Sequence, residues 1–97
     1  MRTLTIDQLE TFLAIVKHKG FRHASCKLFL SQPTVSSRIQ ALERELNVPL
    51  FIRSGRKVTL SEQGERLLPF ATGIVGLYHG AQLEMARRQH GIHQTID

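Results

Sequence analysis

The run Ser31-Gln32-Pro33, followed by Val35, Ile39, Leu42 and Leu46, constrains the fold of this chain more than any other feature. Serine before a helix accepts a hydrogen bond from a first-turn amide and caps it. Proline in that turn is tolerated because the amide it lacks had no helical acceptor. The four apolar residues recur at the helical period and make a stripe that must be buried. Asn47 tolerates the left-handed conformation that stops a helix. A helix over about 32–46 is therefore set at both ends. Gln32, Thr34, Ser36, Ser37, Arg38 and Gln40 lie off the stripe and form a face of small polar and basic side chains.

The flanking segments are as readable. Thr5 with Gln8 three residues on is a capping box, and Ile6, Leu9, Phe12, Leu13 and Val16 follow at helical spacing. Lys17-His18-Lys19 suits the last turn of that helix, and Gly20 is expected to end it. A short second helix is expected from about Arg22 to Leu28, with Phe21, Ala24 and Leu28 inward. Ala24 and Ser25 are small enough for another helix to approach closely. Phe29-Leu30 then forms a tight apolar turn. Val48–Arg53 and Arg56–Leu60 around Ser54-Gly55 read as a hairpin with a basic tip.

Ser61 is expected to cap a long last helix over about 61–90. Leu67, Ala71, Ile74, Tyr78, Ala81, Met85 and Arg88 alternate in steps of four and three along it, a heptad seam. Such a seam covers either the domain's own core or a second copy of the chain. A domain this small leaves little else to cover a long helix, which favours a dimer, with Leu67, Ala71, Ile74, Tyr78, Ala81 and Met85 as its interface. Pro69 should bend the helix or be absorbed near its start. Gly73, Gly76 and Gly80 each weaken it by about 1 kcal/mol relative to alanine, so it needs support. Residues 91–97 read as a frayed tail.

Helix, short helix, tight turn, helix and hairpin together predict a mainly α, winged helix-turn-helix fold over residues 1–60. A linker helix over 61–90 follows. Ninety-seven residues make one small domain, with no room for a large cleft. The charge distribution fits nucleic acid. The net charge is +5, and no Asp or Glu occurs from Thr11 to Leu42 or from Leu46 to Ser61. A surface free of carboxylates is what a polyanion requires.

In this fold the third helix enters the major groove. Glutamine bonds adenine bidentately, arginine bonds guanine, and the threonine methyl meets that of thymine. Gln32, Pro33, Thr34, Ser37 and Arg38 are the candidate base contacts. Ser31, Arg22, Ser36, Arg53, Arg56 and Lys57 are the candidates for phosphates and the minor groove. A plain solvated helix face, or a protein partner on that helix, are the competing readings.

Other chemistries find little support. Cys26 is the single cysteine, so no internal disulfide or structural zinc site is expected; it packs near the short helix or senses redox state. His90 and His93 lack a third ligand, and no metal is expected. No nucleophile–base pair, carboxylate pair or phosphate loop points to an enzyme. The N-terminus is no signal peptide, and no run reaches the roughly 20 apolar residues of a membrane span. A cytoplasmic protein without membrane contact is expected.

Ser31–Glu43 and Leu50–Gly64, with Leu9, Phe12, Phe21, Ala24 and Leu28, resemble the N-terminal domain of the LysR-type transcriptional regulators of bacteria. The resemblance covers about residues 4–88. The chain departs from the family pattern at Lys19-Gly20-Phe21 for Gly-Ser-Phe, Ala24-Ser25 for Ala-Ala, Asn47 for Gly and Ser61 for Thr. The resemblance implies sequence-specific binding to double-stranded DNA, on an interrupted dyad with A·T-rich half-sites. It implies a homodimer through antiparallel linker helices and a tetramer in the full-length protein. It also implies a C-terminal effector-binding domain, absent from this chain, so that no cofactor is expected here and a small-molecule effector is expected there.

Overall fold

A computed structural model describes residues 3–87 and Ile96. Four helices and one hairpin follow in the order α1 (Ile6–His18), α2 (Phe21–Leu28), α3 (Gln32–Leu46), β1 (Phe51–Ser54), β2 (Lys57–Leu60) and α4 (Glu62–Ala86). This is the expected winged helix-turn-helix followed by a long helix. Arg88, His90 and His93 lie outside the described residues, as does the 91–97 tail apart from Ile96.

The caps act as their residues dictate. The Thr5 hydroxyl accepts from the Gln8 amide at 3.1 Å, and the Gln8 side chain accepts from the Thr5 amide at 3.0 Å, closing the box. Asn47 stops α3 in the left-handed region at φ 57°. The end of α1 corrects an expectation. Lys19, not Gly20, takes the left-handed conformation (φ 58°), and the Gly20 amide donates back to the Ile15 carbonyl. Gly20 stands instead before α2 and supplies no side-chain cap. The family's usual serine would have offered one.

Leu9, Phe12 and Ile15 of α1, Ala24 of α2, Val35, Ile39 and Leu42 of α3, Leu50, and Ala71 and Val75 of α4 make one core. Ala24 and Ser25 are both buried, as small residues at a close helix crossing should be. The hairpin is antiparallel, pairing Phe51 with Leu60 and Ser54 with Lys57. Its turn is therefore Gly55-Arg56, one residue later than Ser54-Gly55. Gly55 has φ +60°, the positive angle that the first position of a II′ turn needs.

The start of α4 is locked to the hairpin. Buried Ser61 donates to the Pro49 carbonyl at 2.6 Å and accepts from the Gly64 amide at 3.0 Å. Its own amide donates to the Leu50 carbonyl at 2.9 Å. The helix runs through Pro69 and ends at Ala86, short of residue 90, with Arg87 extended beyond it. One stretch of the expected seam is corrected by burial. Ala71 is 0% exposed and Leu67 packs against the core. Ala71 thus belongs to the chain's own core, and Leu67 is half-buried beside it.

Candidate nucleic-acid interface

The exposed face of α3 and the hairpin lie on either side of a notch lined by Phe21, Ser36, Ile39, Gln40, Glu43, Phe51 and Arg53. Because Val35, Ile39 and Leu42 face the core, helical geometry turns the residues between them outward. Gln32, Pro33 and Ser37 are exposed, and Thr34, Ser36 and Arg38 are half-buried. The face thus holds the side chains expected on it, at the N-terminal end where a helix enters a groove.

Several of these side chains have partners within the protein. The Ser31 hydroxyl accepts from the Thr34 amide at 3.2 Å and shares a 2.9 Å hydrogen bond with the Thr34 hydroxyl. Ser31 is therefore a cap first. Arg38 does not stand free. One guanidinium nitrogen donates to the Thr11 hydroxyl of α1 at 3.5 Å, and that buried hydroxyl donates to the Asp7 carbonyl at 2.7 Å. Thr11 ties the root of this α3 face to α1.

Arg22 lies exposed in the first turn of α2, and Arg56 and Lys57 are exposed at the hairpin tip. Arg53 is exposed but fixed: its guanidinium carbon stands 4.0 Å from the Phe21 ring centroid. Phe21 in turn meets Phe51 edge-on at 5.7 Å, and Phe51 meets Phe12 at 5.4 Å. A chain of rings thus runs from the core to the wing arginine. Sequence reasoning placed Phe21 inward and saw no more. The partner lies 32 positions away, and no local periodicity reports such a contact.

Glu43 was also missed. The acid-free span ends before it, yet the fold returns its carboxylate to the notch. One oxygen accepts from the Leu50 amide at 2.7 Å, which holds the loop before β1 against α3. Among the described residues, no three His, Cys, Asp or Glu side chains are grouped to hold a metal ion. No helix among them is long and apolar enough to cross a membrane.

Helix packing, hairpin and polar helix face together define a winged helix-turn-helix module. Residues 6–65 match the family model described as the bacterial regulatory helix-turn-helix protein of the lysR family. The chain belongs to that family. It is 39% identical over 88 residues to the HTH-type transcriptional regulator CitR of Bacillus subtilis, covering 91% of this chain and 30% of CitR. It superposes with a TM-score of 0.80 on the DNA-binding domain of BenM in complex with catB site 1 DNA, at 28% identity over 84% of this chain and 92% of that one. For the CbnR DNA-binding domain in its DNA complex the TM-score is 0.76, at 32% identity over 88% and 100%. The chain spans less than a third of the length of the curated relatives it matches.

Proposed function

We propose that this chain binds duplex DNA sequence-specifically as the DNA-binding region of a transcriptional regulator, with α3 in the major groove. The observation that carries the reading is the α3 face. Gln32, Pro33 and Ser37 are exposed at the N-terminal end of a helix whose other side is wholly core. A basic hairpin stands beside it at the distance of one notch. The solved complexes of BenM and CbnR add that this fold is used on DNA by two relatives. Gln32, Pro33, Thr34 and Ser37 contact base edges in this reading. Arg38, tied to Thr11, reads from the side of α1. Ser31, Ser36, Arg22, Arg53, Arg56 and Lys57 hold phosphates or the minor groove.

Two copies pair through α4, and residues 1–60 and 61–86 divide into reading head and spacer. The pairing face is Phe70, Ile74, Leu77, Tyr78, Ala81 and Met85, all exposed. It lies about a quarter turn from Ala71 and Val75, which face the core.

Selection of bound sequences from a random duplex pool tests the reading. An interrupted dyad is expected, with affinity falling steeply as salt rises. Gln32→Ala is expected to relax preference at one position of each half-site by about 1–3 kcal/mol. A variant that kept the parent's full preference would remove Gln32 from the readout. Binding that ignored both sequence and salt would remove DNA as the partner.

A further inference from the structure

We propose that Phe21 is a positioning residue for DNA binding, a stacking platform that holds the Arg53 guanidinium ready for a backbone phosphate in the notch between α3 and the hairpin. The inference rests on the DNA-binding reading above and adds a residue to it.

Three observations carry it. The Arg53 guanidinium lies over the Phe21 ring at 4.0 Å, within the range in which a cation is attracted to a ring face. The ring is itself held, edge-on to Phe51 at 5.7 Å, with Phe51 against core residue Phe12. The wing arginine is thus referenced to the core through two rings and not through the mobile geometry of its own side chain.

The third observation concerns what stacking leaves open. A guanidinium that lies flat on a ring presents its N–H donors at its edge. The Arg53 guanidinium makes no hydrogen bond or ion pair among the described residues. The nearby carboxylate of Glu43 is engaged by the Leu50 amide at 2.7 Å. Ser36, Gln40 and Arg53 line the same notch, with Glu43 as its one carboxylate, so a hydroxyl, an amide and a guanidinium border the space where a strand would pass between groove helix and wing. An arginine ordered before binding loses less rotamer freedom on binding than a free one does.

The test is a double-mutant cycle on this chain, read as Kd for its selected duplex and for a scrambled duplex. Circular dichroism melts of each variant are run in parallel. Phe21→Leu keeps an apolar side chain against Phe51 and removes the ring face. It is expected to weaken both duplexes equally, by about 2- to 5-fold, because a phosphate contact carries no sequence information. Phe21→Tyr is expected to restore the parent's affinity. In an Arg53→Met background, Phe21→Leu is expected to change Kd by less than the cycle's error.

If Phe21→Leu weakens the Arg53→Met variant as much as the parent, the platform role is overturned while the DNA-binding reading stands. Failure of Phe21→Tyr to rescue, with an unchanged melt, overturns it as well. If the parent chain binds neither duplex, the DNA-binding reading and the platform fall together.

Discussion

Phe29 sits in the turn between α2 and α3 with φ 57° and 94% of its surface exposed. The left-handed conformation costs a residue with a Cβ roughly 1–2 kcal/mol. A ring that buries almost nothing does little to offset that. Asn47 meets the same demand at the end of α3 with a side chain that tolerates it. Phe29→Gly relieves the clash but gives the unfolded chain more freedom, worth about 0.5–1 kcal/mol. A net gain of about 0.5–1 kcal/mol is expected, seen as a higher urea midpoint at unchanged slope. A lower midpoint would show that the ring packs against something. The sequence marked this turn as tight and apolar. It did not show which residue would take the positive φ, because a turn's handedness comes from how its two helices cross.

At the scale of elements, local signals and long-range ones part company. Ser31, Thr5, Ser61 and Asn47 were legible as caps because each acts on amides or carbonyls a few residues away. The apolar period gave the inner faces of α1 and α3 for the same reason. What stayed hidden is the joint between elements. Gly64 carries no positive φ, and on sequence it is one more glycine in a helix. The fold brings it against the hairpin. A Cβ built there would stand 2.2 Å from the Leu50 carbonyl oxygen and 2.8 Å from a Leu60 methyl. That same carbonyl accepts from the Ser61 amide at 2.9 Å, so it cannot retreat without loosening the cap of α4. Gly64→Ala should therefore destabilise, although alanine favours helix by about 1 kcal/mol. A loss of about 3 kcal/mol is expected, near the upper end of overpacking, read from the urea midpoint. A variant as stable as the parent would mean that the α4–hairpin approach is wider than described. The arginines of the interface teach the same lesson. Arg38 and Arg53 were readable as basic side chains, while Thr11 and Phe21, which hold them, lie on other helices.

The molecule measures 57 Å along its longest axis, and α4, with 25 residues, is itself about 37 Å long. Its first half closes the domain through Leu67, Leu68, Ala71 and Val75. From Gly76 to Arg87 every residue is exposed, although the His79 ring still reaches Glu10 of α1 at 3.4 Å. The heptad count on sequence put Leu67 and Ala71 on a pairing seam. Ala71 and Leu67 satisfy the spacing, but burial in the domain outranks it. The exposed apolar side chains of α4 include Phe70 at 69% exposure, Leu77 at 78% and Met85 at 77%, with Ile74 and Tyr78 between them on one stripe and Leu83 on the other side of the helix. A stripe of that kind on a small domain calls for a cover. In the proposed dimer, Leu77→Glu puts two carboxylates at the helix crossing. Sedimentation should then show a monomer, still folded because Leu77 supports no core contact, whose melt is lower than the parent's and no longer depends on protein concentration. Binding to a single half-site should be unchanged. Binding to the full dyad should fall by about 10²- to 10⁴-fold, the loss expected when two linked heads become independent. Ala71→Glu serves as the contrast: with no exposed surface, it should unfold the domain before it separates two copies. A dimer that survived both Leu77→Glu and Ile74→Glu would place the pairing surface elsewhere than on this stripe.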